Sequence, residues 1–581
     1  KVSFLDQDGD PMSGKTAEIY QDGVLMTKEK FSSKNKGVFS FVAKCEGLSS
    51  DAVKVKAINF FDLNTLRNME IVISKSEWDG MTQDMLEYES KFPPSYYLCK
   101  WRTENYRKAK IVLRDADGDF EIDEVGIRTK GNTSRMLPQD QDGLFHRAAF
   151  KLKFDKAFSD LVKGTDEYDQ RKKRSFLNMN ELNLKTYDGR NIEIRDEKEY
   201  IHYDWNNPMR INALYSYRKL NEASIWAPRS NSIDLVIRIK NYDSKGDKVL
   251  DYGIYFGLEE VDKKFVSRRV KFDKNAKDGD LYKCLYQQGG PATLEKLPTE
   301  DNKELKERGL IGEKDGAVDY RPTYDIATNE DTTDHHALKD FIRNLNNLTG
   351  DAFVSYMDAN FDVDMFLKSI AWDVLLGNPD GYFGNAQNYY LYFPPAGTGY
   401  KITFIPCDLD HSVGAGWYPT NMTDIDIYNF YQAFNSGVKE GERRKLPLVE
   451  KLLAVTKYKK VYSDYLAACT DAAGGKFNYA DFKGFYDACY TLYTKDVDHF
   501  VCDVDLHRSW FDDKGILTFE VPRKDSKSWM HPYCIEPYSV YDEASGTMID
   551  TIPPWAEPGK TLYVQDYFTQ KIASVRTQLG L

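Results

Sequence analysis

A change of hydrophobic period divides this chain. Between about residues 108 and 261, apolar and polar residues alternate in KAKIVLRD, EIDEVGIRTKG, RAAFKLKFD, SIDLVIRIK and DYGIYFGLEEV. Period two sends successive side chains to opposite faces and predicts strands. From about residue 335 the period lengthens to that of a helix. In HHALKDFIRNLNNL, the residues Leu338, Phe341, Ile342, Leu345 and Leu348 share one stripe. In DVDMFLKSIAWDVLLGN, the residues Phe366, Ile370 and Val374 do the same, with Asp362 or Asp364 able to cap the start. YYLYF and KITFIP interrupt the helices as the two strands of a hairpin, and helices close the chain in DYFTQKIASVRTQLGL. A run of strands followed by a run of helices is the α+β pattern.

A length of 581 residues predicts two or more domains. VSFLD, AEIYQ, GVFSFVA, VKVKAINF and MEIVIS are short strands punctuated by turn residues. They predict a small all-β, immunoglobulin-like sandwich over residues 1–77. The larger unit, 78–581, then divides into a strand-rich part at about 90–290, a polar surface insertion at about 291–334 and a helical part at about 335–581.

Net charge of −12 supplies no basic field for a nucleic acid backbone. No apolar run approaches the roughly 18 residues of a membrane span. The chain starts at Lys1 rather than Met, which leads us to expect a removed leader or an excised fragment. Eight cysteines form no CxxC pair, and Cys469, Cys489, Cys502 and Cys534 crowd the last quarter, as disulfides or as buried free thiols. Sequons at Asn132, Asn347 and Asn421 matter only in a eukaryotic secretory pathway.

Two familiar patterns fail. GDPMSGKT, residues 9–16, matches the phosphate-loop pattern, which needs a helix directly after it. TAEIYQDGV alternates instead, so a turn between strands is expected. DADGDFEIDE from Asp115 has Phe120 and Gly126 where a calcium loop needs Gly and Glu. His411 lies in no zinc spacing and is expected to be a hydrogen-bonded structural residue.

GNPDGYFGNAQNYYLYF followed by IPCDLDHSVGAGW is different. Asp380 lies just past a helix end, Asn385 and Asn388 follow, and the next strand delivers Asp408 and Asp410. If the two strands pair, Asn388 and Asp408 share one end of the hairpin. Hard oxygen donors in this pattern suit Mg²⁺ and phosphoryl transfer, and equally suit polar turn capping.

This region resembles the CotH kinase family, the spore-coat-protein-H type of atypical protein kinase. Asp380, Asn388, YYLY, Asp408, Asp410 and Gly414 match its motif in order. VGIRTKGNTS with AFKLKFD, DWNNPMR (Asp204 to Arg210), GIYFGLEEVDKKFV, GDLYKC and the closing VRTQL are similar to further family elements, so the resemblance covers about residues 90–581. Two positions depart from it: Lys130 stands where Arg is usual, and Cys407 where Trp is usual.

The resemblance implies a two-lobed protein-kinase-like fold that transfers phosphate from ATP, with Mg²⁺ or Mn²⁺, to Ser or Thr of extracellular, coat or matrix proteins, in a secreted or cell-surface setting. Carried onto this chain, Asp380 is the catalytic Asp. Asn388 and Asp408 hold the metal, with Asp410 supporting and Asn385 competing with Asn388 for the role. Lys153 reaches the ATP phosphates, oriented by Glu259 or Glu260, and Arg128, Lys130 and Lys283 add positive charge. The alternative is a cell-surface or cellulosome-associated adhesion protein that keeps the fold with weak or no catalysis.

Overall fold

The computed structural model describes residues 16–27, 37–91, 101–115, 118–131, 135–141, 143, 145–146, 148–186, 191–195, 198–202, 211–287, 290–298, 322–413, 422–431, 444–493, 538–542, 547–551 and 564–581. The chain divides into two units, Lys1–Asp62 and Leu63–Leu581. In the first, β1 (Glu18–Gln21), β2 (Val24–Leu25), β3 (Gly37–Cys45), β4 (Leu48–Ser49) and β5 (Val53–Ala57) form one antiparallel sheet. Asp22 and Gly23 both take positive φ (49° and 84°), which a two-residue hairpin turn requires. Among the described residues this unit holds a single sheet, not the two facing sheets of a sandwich. GDPMSGKT lies outside the described residues apart from Thr16, and a strand, β1, follows it.

The second unit begins with a closed barrel. Its strands are β6 (Arg67–Ser74), β7 (Arg107–Arg114), β8 (Phe120–Thr129), β9 (Phe150–Lys153) and β10 (Glu181–Lys185). After a separate hairpin of β11 (Asn191–Arg195) and β12 (Lys198–His202) come β13 (Ser230–Asp243) and β14 (Gly246–Glu259). The order around the barrel is β10-β14-β13-β6-β7-β8-β9, closing on β10. MEIVIS, expected in the leading module, is β6: it runs parallel to β13 and antiparallel to β7, with Met69, Ile71 and Ile73 buried. Alternation marks a strand but names no partner, so the boundary falls at Asp62 instead of near residue 77. The Asp115 pattern runs into β8, which rules out a calcium loop there.

A second antiparallel sheet, of β15 (Asp280–Cys284), β16 (Tyr324–Ile326), β17 (Tyr389–Phe393) and β18 (Thr403–Pro406), has the order β16-β15-β17-β18. Strand β16 falls inside the segment expected to be a loop; three residues are too few for a period to show. The helices are α1 (Lys75–Lys91), α2 (Asp166–Lys172), α3 (Ile211–Glu222), α4 (Lys263–Arg269), α5 (His336–Asn347), α6 (Gly350–Asn360), α7 (Val363–Leu376), α8 (Tyr382–Asn385), α9 (Pro447–Ala454), α10 (Thr456–Cys469), α11 (Tyr479–Tyr493) and α12 (Val564–Leu579). Of the two candidate caps, Asp362 starts α7, accepting from Met365 N at 3.1 Å. One apolar core joins α3, α5, α7, α9, α10 and α12 to β17 and β18. The α+β class therefore holds.

Cys469 and Cys489 carry free thiols, while Cys502 and Cys534 lie outside the described residues, as do Asn132, Asn421, Gly414 and the segment 204–210. No helix among the described residues is long and apolar enough to cross a membrane.

Candidate active site

Register and pleat collect the charged residues of β8, β9 and β10 on one face. Arg128 lies opposite Lys151, Lys151 opposite Asn183, and Lys153 opposite Glu181. Period two adds Lys130 and Lys185 to that face and turns the buried Ile127, Phe150, Leu152, Leu182 and Leu184 the other way. Lys151 is paired with Glu181 at 2.6 Å and Glu260 at 3.2 Å, and Asn183 Nδ2 donates to Glu260 at 2.5 Å. Burial opposes ionisation of Glu260, yet Lys151 holds its carboxyl below the usual range.

Three expectations change here. Lys153 pairs with Glu181 and Asp155, and the buried lysine that meets Glu260 is Lys151. Among the described residues the ion-pair partners of Glu259 are Arg229, Arg268 and Arg269, and against the cost of burial they hold its pKa at about 2. Glu259 and Glu260 are neighbours on one extended segment, so they face opposite sides. Arg128 is committed to Glu104 at 2.7 Å and to the face of Tyr106.

Lys130 is half-buried. Burial and the charges of Lys185 and Lys283 push its pKa well down, while Glu260 and Asp408 act the other way. Lys283 comes from β15 and stands over the Tyr390 ring at 5.8 Å. Lys185, which sequence reasoning missed, ends β10, bonds Asp408 and lies 3.8 Å from Asp410. Lysines from two sheets thus gather beside one acidic loop.

The hairpin forms as its residues predict. Tyr389 faces Pro406, and Cys407 N donates to Asn388 O at 3.0 Å, so Asn388 and Asp408 share one end. Asp380, on the turn after α7, is buried and held by amides. Asn388 Nδ2 donates to its Oδ2 at 2.7 Å, Asn385 Nδ2 to Oδ1 at 3.0 Å, and Gln387 also donates to Oδ1. Burial pushes Asp380 up to about 6; His411, Asn385 and Gln387 oppose the rise and Asp410 adds to it.

Asn385 and Asn388 now separate. Asn385 Oδ1 accepts from Arg444 Nη1 at 2.8 Å, so both ends of its amide are engaged. Among the described residues both bonds made by the Asn388 side chain use its Nδ2, so its Oδ1 is an atom that can serve a cation.

A family model described as CotH kinase protein matches residues 127–492, well over half of the chain. The chain belongs to the CotH kinase family. The match runs from β8 into α11 and contains the charged barrel face, Asp380, the hairpin and its acidic loop. Residues 90–126 and the closing VRTQL of α12, part of the sequence resemblance, lie outside it. No curated protein matches the chain.

Kinase-type chemistry at the family level calls for a nucleotide and a divalent cation. Among the described residues no three His, Cys, Asp or Glu side chains form a ready-made metal cage. Mg²⁺ seldom needs one, since it takes one or two carboxylates and completes its shell with phosphate oxygens and water. Asp408, Asp410 and Asn388 Oδ1 supply that kind of partial set, and the lysines suit the phosphates. The residues present fit both groups.

Proposed function

We propose that this chain transfers the γ-phosphoryl group of ATP to Ser or Thr side chains of proteins outside the cell, such as coat or matrix proteins. The barrel with its charged face serves as the nucleotide lobe and the helical part as the lobe for the acceptor protein. The observation that carries the reading is the lysine cluster. Burial and the nearby charges of Lys185 and Lys283 disfavour the charge on Lys130, and a polyphosphate bound there relieves that. Asp380 accepts the hydroxyl proton of the acceptor, because its raised pKa brings it nearer to neutrality while leaving it ionised at pH 7. Asn385, Gln387 and Asn388 fix the direction of its lone pairs. Asp408, Asp410 and Asn388 Oδ1 hold Mg²⁺ or Mn²⁺, which screens the phosphate oxygens when bound. Lys151, locked between Glu181 and Glu260, stiffens the wall from which Lys130 and Lys185 project.

The test is radiolabel transfer from ATP with Mg²⁺ or Mn²⁺ by wild type, Asp380→Ala and Asp408→Ala. Incorporation that both substitutions abolish is expected. A wild type that neither incorporates label nor binds ATP by calorimetry refutes the reading.

A further inference from the structure

The loop after β18 has a backbone its residues do not favour. Asp408 and Val413 both take φ of 58°, in the left-handed region that suits glycine. For a β-branched residue such as Val413 this conformation is an outlier, and it persists only where the surroundings over-determine it.

Helix α3 provides much of that determination. Tyr217 OH accepts the Asp408 N–H at 2.8 Å. Asn212 Nδ2 donates to the carbonyls of Asp410 at 2.6 Å and Ser412 at 3.2 Å. The Ser216 and Ser412 hydroxyls bond at 2.7 Å. Asn212 and Ser216 lie one turn apart on one face of the helix, Tyr217 is the next residue round, and all are buried. From the other side, Leu376 O accepts the Val413 N–H at 2.6 Å. Helix α3 is itself fixed: Tyr217 stacks on Phe256 of β14, Tyr215 meets Phe482 of α11 edge-on, and Arg218 and Lys219 both bond Asp481. Three side chains from one helix thus set the backbone that presents Asp408 and Asp410.

We infer that Tyr217, Asn212 and Ser216 are positioning residues for the cation: they hold Asp408 and Asp410 in line with Asn388, so that metal affinity depends on them more than nucleotide affinity does. The inference rests on the phosphotransfer reading above. Of the three lysines that the proposed reading gives to the phosphates, Lys130 follows β8, Lys185 ends β10 and Lys283 lies on β15, so none is carried by the loop that these three side chains brace, although Lys185 bonds Asp408. Tyr217→Phe removes one oxygen atom and leaves the ring packing on Phe256. Loss of a residue that orients a metal ligand typically costs about 10- to 100-fold in metal affinity.

Mn²⁺ binding is measured by electron paramagnetic resonance in the presence of AMP-PNP, on wild type, Tyr217→Phe and Ser216→Ala. Nucleotide affinity is measured separately, with a fluorescent ATP analogue in EDTA. Tyr217→Phe is expected to weaken Mn²⁺ about tenfold or more and to leave nucleotide affinity within about twofold. Ser216→Ala, the second variant, is expected to shift Mn²⁺ in the same direction by less. Amide exchange at Asp408, read without ligand, should speed up in Tyr217→Phe while exchange in α7 stays as in wild type. In an Asp408→Asn background, Tyr217→Phe should add nothing to the loss, because it acts through Asp408. A wild type that binds Mn²⁺ with AMP-PNP while Tyr217→Phe and Ser216→Ala bind it equally well overturns the inference alone. A wild type that binds no Mn²⁺ with AMP-PNP overturns the phosphotransfer reading and the inference with it.

Discussion

Asp380 should make fold stability and catalysis respond to pH in opposite directions. Burial raises its pKa from 3.8 to about 6, with Asp410 adding to the rise and His411, Asn385 and Gln387 resisting it. An acid whose folded pKa exceeds its unfolded one binds its proton more tightly in the fold. Its contribution to stability is fully present below about pH 4 and is lost as pH rises through about 6. A shift of about two units, at about 1.4 kcal/mol each, amounts to about 3 kcal/mol. Asp380→Asn removes the titration. Its new amide also faces the donors Asn385, Gln387 and Asn388, a cost that does not vary with pH, so the test lies in the slope. Urea unfolding followed by tryptophan fluorescence, on both proteins from pH 4 to pH 8, should show the wild type losing about 3 kcal/mol relative to the variant across that range. Phosphate transfer by the wild type should rise over the same interval, with an apparent midpoint near 6, since the base must be ionised. A stability difference flat to within about 1 kcal/mol, or a transfer midpoint near 4, would refute the account of a desolvated base.

Further outcomes follow from the barrel wall and the second sheet. Lys151→Met takes the lysine from buried Glu260, leaving it the Asn183 amide, and one of two lysines from Glu181, and should cost about 3 kcal/mol in urea unfolding, whereas Lys153→Met, at a more exposed lysine, should cost less. Equal costs would refute the ranking. Lys130→Met removes a charge that its surroundings disfavour, so ligand-free protein should melt higher while ATP, measured by calorimetry, binds about tenfold weaker or worse. A lower melting temperature together with unchanged affinity would contradict it. Burial pushes Cys407 up to about 12 and also raises Cys284. Alkylation at pH 8, mapped by mass spectrometry, should therefore spare both until the protein unfolds, and rapid labelling of either would show an open second sheet.

Much of the architecture was legible because period reports local geometry. The alternation in KIVL, IDLVIRI and YGIYFGL gave strands, and the stripe Leu338, Phe341, Ile342 and Leu345 gave α5, with those four residues buried as expected. What period cannot report is the partner. MEIVIS has the same alternation whether it pairs with the leading sheet or with β13 and β7, and only the long-range register decides. Strand β16 and the single-turn α8 are shorter than any window in which a period can show.

The site divides along the same line. Asp380, Asn388 and Asp408 were visible together because a hairpin with short flanks forces its ends to meet, and Asp380 and Asp408 are only 28 positions apart. The resemblance implies Lys153 and not Lys151: period two puts both on one face, and it is Lys151 that pairs with Glu260, which follows β14, two strands along the barrel from β9. Lys185 meets Asp408 over a separation of 223 residues, and Tyr217 meets it over 191, so no local pattern marks either. Asn385 and Asn388 show what geometry adds to spacing. The resemblance implies Asn388 as the metal ligand, with Asn385 competing for the role. Each amide gives its Nδ2 to Asp380, and the difference lies in the other atom: Arg444 occupies Asn385 Oδ1, whereas among the described residues the bonds of the Asn388 side chain use Nδ2 alone. Asn385 thereby links Arg444 to Asp380, and the proposed phosphotransfer reading gives the cation to the asparagine whose backbone carbonyl accepts from Cys407 N, beside Asp408.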